Sequence, residues 1–277
     1  MSDAEEKQEA PDAEDGVQPY CPGDDHAFPD ERLNAVLETV LADEEIGAYL
    51  EAQNVNPVAR KGYNDHGTKH IEIVRDRALC LYELLKEGGV AFNGASDQGL
   101  AEADEPVIIA LAATLHDVGH VVHRDDHPYY SIPLAADVLD RLLPEFYDTP
   151  DVVRVKAEVL HAILCHHVEE KPLTTEAGVI RIADALDMER GRSRIPYDKG
   201  SRGVNTLSSR AIHRVTLQPG EDVPVLVEIE MTDAVGVYQV DELLKAKVSG
   251  SGLEDDVRIV ALKIDTEGGQ LVERLEV

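Results

Sequence analysis

Cysteine is scarce in this chain: Cys21, Cys80 and Cys165 are widely spaced and form no Cys-x-x-Cys pair. That argues against a disulfide framework and for a reducing cytoplasm. Basic residues are also few, 26 against 55 acidic ones, for a net charge of −29. That balance argues against a surface built for general nucleic-acid binding. Long apolar runs are missing too. Val107 to Leu115 is the most apolar stretch and is far too short to span a bilayer. The polar, acidic N-terminus does not resemble a secretory signal. These absences predict a cytoplasmic protein without a membrane partner.

The acidity is not confined to a tail. The first 25 residues hold nine acids and one lysine, and the remaining 252 still carry −21. Acidity spread in this way suits a salt-loving organism such as a halophilic archaeon, where salt screens self-repulsion. An ordinary acidic cytosolic protein is the plainer alternative.

Residues 1–28 are acidic and contain Pro11, Pro19 and Pro22, with Pro29 just beyond. They cannot bury enough apolar surface to fold and are expected to be disordered. Helical periodicity then dominates residues 29–200. Leu33, Val36, Leu37, Val40 and Leu41 mark a first helix. Ile71, Val74, Ala78, Leu81 and Leu85 mark a second, which stops at Gly88-Gly89. Pro106 opens a third helix that leads through His116, Asp117 and His120. Ser131 and Pro133 start a fourth, residues 151–168 form a fifth, and Thr174 or Thr175 caps a sixth that runs to about Glu189.

Near residue 204 the pattern changes. Ala211–Leu217, Val223–Met231, Val257–Ile264 and Leu271–Val277 read as strands. Residues 239–247 read as an amphipathic helix with Val240, Leu243 and Leu244 on one side. The fold class is mainly α: a helical bundle over 29–200, followed by a small α+β domain over 204–277.

Nine of the eleven histidines lie between residues 66 and 167. The pair His116-Asp117 closes an apolar run, where ionisable groups are costly without a partner. A metal ion is such a partner. His66 and His70, four residues apart, are expected on one helical face. His127 follows in a loop. Asp184 lies among Ile180, Ile182, Ala183 and Leu186. A lone histidine is more often a hydrogen-bonded residue than a ligand, and His26 and His213 are read that way. Four helices that each offer His or Asp beside apolar residues are a different matter.

The order His70, His116-Asp117, Asp184 resembles the signature of the HD-domain superfamily of metal-dependent phosphohydrolases, over roughly residues 60–195. The run His-Asp-Val-Gly-His and the later Ile-Ala-Asp-Ala-Leu-Asp strengthen the likeness. It implies an HD-type helical bundle in which His70, His116, Asp117 and Asp184 hold one divalent metal. His127, His166 and His167 are then candidates for a second, with His66 adding to either. Two ions are expected, drawn from Mn, Fe, Mg, Ni or Co. On a helix, positions 161 and 166 are about 140° apart, and 166 and 167 about 100° apart. So His161, His166 and His167 cannot all share one narrow face; which of them points inward is open, with His161 a candidate for a place behind the ligands or against the substrate.

The resemblance implies hydrolysis of a phosphomonoester, phosphodiester or nucleotide by metal-activated water. Asp117 and His120 are the catalytic candidates. His120 stands where many relatives carry lysine, placed to meet a phosphate or to protonate the leaving group; a helix-end histidine is the bland alternative. His123, Arg124, Arg190, Arg192 and Arg194 are further phosphate candidates, the last three in a locally basic stretch with Arg181, Lys199 and Arg202. Internal salt bridging to the acidic surface explains that stretch slightly better. Cys165 reads as a buried structural thiol rather than a ligand. Two other functions stay open: a nucleotide-sensing module without turnover, and a di-iron HD protein that does not hydrolyse. Glu169-Glu170-Lys171-Pro172 stands where cyclic-dinucleotide members carry Gly-Tyr-Pro, which argues against that substrate. A homo-oligomer is open.

Overall fold

The computed structural model describes residues 31–60, 65–189, 204–265 and 271–276. The expected disorder of residues 1–28 lies outside them. The helical part comprises α1 (Glu31–Ala42), α2 (Glu44–Ala52), α3 (Thr68–Glu87), the short α4 (Gly94–Asp97), α5 (Glu105–Leu115), α6 (His127–Leu142), α7 (Asp151–Cys165) and α8 (Thr175–Leu186). No helix of the described residues is long and apolar enough to cross a membrane.

The position of α5 follows from its composition. A helix that is apolar on every side must be buried on every side, and all eleven residues of α5 are buried. It packs against α1, α3, α7 and α8. Burying side chains such as Ile108, Ile109, Leu111 and Leu115 stabilises the fold by roughly 1.5–3 kcal/mol each. The core therefore grips α5, and the residues that follow its last turn emerge deep inside the bundle.

Several boundaries differ from the sequence expectation, and the differences matter for the site. Here α5 ends at Leu115 with His116 as its C-cap, and Val118–Val121 forms a separate 3-10 turn. The third helix therefore does not continue through His120. The second helix, α3, begins at Thr68 after Gly67, so His66 precedes it and shares no helical face with His70. Pro133 lies inside α6, which starts at His127 rather than at Ser131. Pro128 stands in the first turn, where a missing N–H costs nothing, whereas Pro133 lies in the second turn and takes one i→i−4 hydrogen bond from the helix. His166 caps α7 and His167 lies beyond it. Thr174 caps α8 as expected, its side chain accepting from the Ala177 N–H at 3.3 Å.

After α9 (Val204–Ala211) come β1 (Ile212–Pro219), β2 (Val225–Met231), β3 (Val257–Ile264) and β4 (Leu271–Glu276). They form one sheet in the order β1-β2-β3-β4. The β1/β2 and β3/β4 pairs are antiparallel and β2/β3 is parallel. A parallel pair needs a crossover, here a π-helical segment Gln239–Leu244 that leads into α10 (Lys245–Val248). Val240 and Leu244 are buried, whereas Leu243 is exposed. The wider π winding turns Leu243 off the face that α-helical spacing assigns to it.

Glu189 ties the two parts: its Oε1 accepts from Arg77 Nη2 at 2.7 Å and from the Val215 N–H at 2.9 Å. Cys80 is buried and disulfide-bonded, and Cys165 is buried and free.

Candidate metal centre

Three groups of potential ligands share one carboxylate. His70 and His116 form the first with Asp117, His127 and His166 the second, and His66 and His120 the third. The two oxygens of Asp117 face different partners. Oδ2 lies 2.7 Å from His66 Nδ1 and 3.3 Å from His70 Nε2. Oδ1 lies 3.1 Å from His127 Nε2, 3.4 Å from His120 Nε2, 3.5 Å from His116 Nε2 and 3.8 Å from His166 Nε2. Asp184 joins the first group: its Oδ1 lies 3.5 Å from His70 Nε2 and 3.8 Å from His116 Nε2.

The ring orientations come from helix ends. The last carbonyls of a helix lack intrahelical donors. His116 caps α5 and turns its Nδ1 to the Ala113 carbonyl at 2.8 Å; His166 caps α7 and does the same to Ile163 at 2.6 Å. His127 Nδ1 meets the Arg124 carbonyl at 2.9 Å. His70 Nδ1 meets the Asp187 carboxylate at 2.6 Å. In each ring Nδ1 is therefore the donor, so Nε2 carries the lone pair and points inward. That is the arrangement in which imidazole binds a metal.

Loops place the remaining rings. Asn54 Oδ1 accepts from the His66 N–H at 2.8 Å, and Gln53 Nε2 donates to the His66 carbonyl. Asn56 Nδ2 donates to the His120 carbonyl at 2.7 Å, holding the 3-10 turn. Ser131 Oγ accepts from the Gly119 N–H at 2.9 Å and donates to the His116 carbonyl at 2.7 Å. A Cβ at Gly119 would stand 2.1 Å from the His127 carbonyl oxygen, so only glycine lets α6 approach this closely. Asp126, at φ 61°, adopts the left-handed conformation that aspartate tolerates and starts α6 at His127.

The electrostatics call for a cation. Burial opposes ionisation of Asp117, but the surrounding His116, His120 and His66 outweigh it and hold the carboxyl well below its usual range. Burial lowers the His116 and His120 pKa values and holds His166 well below the usual imidazole range. These rings are therefore neutral near pH 7. The Nε2 of His116 is buried without a hydrogen-bond partner, as is the Nδ1 of His120. A buried lone pair with no donor is costly, and a divalent ion removes that cost. The donor set of imidazole and carboxylate fits such an ion.

Other sequence candidates fall outside these groups. His167 is partly exposed and pairs with Glu169. His161 Nε2 accepts from the Leu173 N–H at 3.1 Å, and Cys165, its thiol pushed up to about 11 by burial, lies beside it. His123 is exposed, and its Nδ1 accepts from the Asp125 N–H at 3.1 Å. Arg124 lies 3.8 Å from Asp125. Arg181 is buried and donates to the Lys247, His167 and Glu170 carbonyls, a structural tie rather than a phosphate contact. Arg190, Arg192, Arg194, Lys199 and Arg202 lie outside the described residues. Sequence reasoning missed the roles of Asp187 and Lys247. Asp187 follows Asp184 by three residues in the quoted Ile-Ala-Asp-Ala-Leu-Asp run, which was a usable signal.

The HD domain family model matches residues 88–189, which include His116, Asp117, His120, His127, His166 and Asp184 but not His66 or His70. Uncharacterized protein MJ1020 of Methanocaldococcus jannaschii is 34% identical over 226 residues, covering 82% of this chain and 87% of that protein. Ribonuclease Y of Desulforudis audaxviator is 28% identical over 154 residues, covering 53% of this chain and 27% of that protein. Ribonuclease Y of Chloroflexus aurantiacus is 26% identical over 151 residues, with 52% and 27% covered. The aligned region thus spans about a quarter of these ribonucleases' length. The chain belongs to the HD-domain family, within the superfamily of metal-dependent phosphohydrolases.

Proposed function

We propose that this protein hydrolyses a small phosphoester, a phosphomonoester, phosphodiester or nucleotide, at a centre of two divalent ions. The observation that carries this reading is the sharing of Asp117 among three groups of inward-facing imidazoles. His70, His116, Asp117 and Asp184 would hold one ion. Asp117, His127 and His166 would hold the other, with His66 and His120 at a third side of the same carboxylate. Bound there, a divalent metal supplies charge for the phosphoryl oxygens and a water of lowered pKa.

The chain's own groups do the rest. Asp117 presents an oxygen to each side and remains ionised. Asp187 and the Ala113, Ile163 and Arg124 carbonyls keep the rings in one tautomer. His120, neutral and buried, suits a cation or a proton-accepting role better than a phosphate contact. The net charge of −29 favours a small substrate over a long nucleic acid, even though six relatives are named Ribonuclease Y.

The test is metal analysis of the purified full chain, then a panel of phosphomonoesters, phosphodiesters and nucleotides with Mn²⁺, Mg²⁺, Fe²⁺, Ni²⁺ and Co²⁺ at high salt. Turnover of one class that is abolished in Asp117→Ala supports the reading. Full activity in that variant, or no turnover with any metal, overturns it.

A further inference from the structure

We propose that the C-terminal unit is part of the metal centre and that Lys247 is its contribution. Lys247 acts as a positioning residue for Asp184 and for the end of α7. The inference rests on the reading of Asp184 as a metal ligand.

Lys247 lies in α10, and its ammonium reaches across to the helical body. Its Nζ pairs with Asp184 Oδ2 and donates to the His166 carbonyl at 2.9 Å. Both side chains of the pair are largely buried, at 12% and 14% exposure, so this is not the exposed kind of ion pair that contributes little. With Oδ2 held, the Asp184 carboxylate cannot swing, and Oδ1 is left facing the Nε2 atoms of His70 and His116. The second contact falls on a carbonyl at the C-terminal end of α7, where a cation also meets the negative end of the helix dipole. One ammonium thus fastens a carboxylate of the first ligand group and the backbone that carries His166 in the second.

The approach of α10 is specifically built. Arg181, one turn before Asp184 on α8, donates its Nε to the Lys247 carbonyl at 3.1 Å. The same guanidinium donates to the His167 and Glu170 carbonyls at 3.1 and 2.8 Å, joining α10, α8 and the segment after α7. One turn earlier on α8 stands Gly178, where a Cβ would lie 2.5 Å from the Ser251 carbonyl oxygen. Any larger residue would push away the chain that follows α10. Ser251 is itself buried, its Oγ donating to the Val248 carbonyl at 2.7 Å and accepting from the Leu253 N–H at 3.0 Å. A ligand-orienting contact made across these surfaces links metal binding to the docking of α10.

The probe is Mn²⁺ alone, titrated calorimetrically into the full chain, with bound metal counted by elemental analysis. Lys247→Met is expected to weaken Mn²⁺ binding by about tenfold or more, the usual effect of removing a group that orients a ligand. Lys247→Arg, which keeps the charge and the reach, is expected to recover most of that loss. Equal or tighter binding by Lys247→Met overturns the inference. Hydrogen exchange on the unmodified chain tests it without any variant. Mn²⁺ should slow amide exchange in residues 245–253 together with that around His116 and Asp184. Protection of the helical body with 245–253 unchanged also overturns it. An unmodified chain that binds no Mn²⁺ removes the metal-centre reading, and this inference with it.

Discussion

The Nε2 atoms of His127 and His166 lie 3.0 Å apart, while the Nδ1 of each ring faces a backbone carbonyl. Two neutral imidazoles oriented this way present lone pair to lone pair. The contact is favourable only with a proton or a metal ion between or beside the two nitrogens. His166→Gln should therefore abolish one metal equivalent while leaving the group around His70 and His116 able to bind. Elemental analysis of Mn²⁺-loaded protein checks this, and unchanged stoichiometry contradicts it.

Asp187 should tune the first ligand group without touching the metal. Its carboxylate meets His70 Nδ1 at 2.6 Å and raises the basicity of the inward Nε2. In Asp187→Asn the neutral amide removes that charge. Metal affinity should fall by roughly 10–100-fold, with the helical circular dichroism spectrum retained. A titration curve superimposable on the wild type would show that Asp187 is only a packing residue.

The pH dependence of the metal-free protein has a definite sign. Burial keeps His116, His120 and His166 below the usual imidazole pKa of 6.5 in the folded state. Below that value the unfolded chain binds protons that the folded chain does not, so stability falls as pH drops toward the folded pKa values. Tm without metal should decline on acidification from pH 7.5 to 5.5, and less steeply in His116→Gln. A Tm that rises over this interval would show that the rings gain protons on folding.

Ser131 offers a test that is independent of metal. It is fully buried and pairs the Gly119 N–H with the His116 carbonyl. Ser131→Ala leaves both groups without this partner and should cost about 1–3 kcal/mol, read by urea denaturation in chelator. The His116 carbonyl is also released, so metal affinity should fall in the same variant.

The α and β character of most segments was legible in local pattern. The all-apolar run before His116 announced a buried helix, and Val225, Val227, Ile229 and Met231 alternate as a half-buried strand does. The capping of α8 by Thr174 and the end of α3 at Gly88 were readable from residue type alone. Helix ends inside the site were not. Whether His120 continues α5 or enters a 3-10 turn depends on Asn56 and Ser131, which arrive from elsewhere in the chain.

Sequence alone determined that His70, His116, Asp117 and Asp184 stand beside apolar residues and that an ion could stabilise them, because burial and periodicity are properties of short segments. Only the tertiary structure decided that Asp117 is shared by three groups, that His66 and His120 belong with them and that His167 does not. It alone brought Lys247 to Asp184, 63 residues away. The reason is physical: side-chain periodicity is set within a few residues, whereas the rotation of each helix about its axis, and the point where it ends, are set by the elements packed against it.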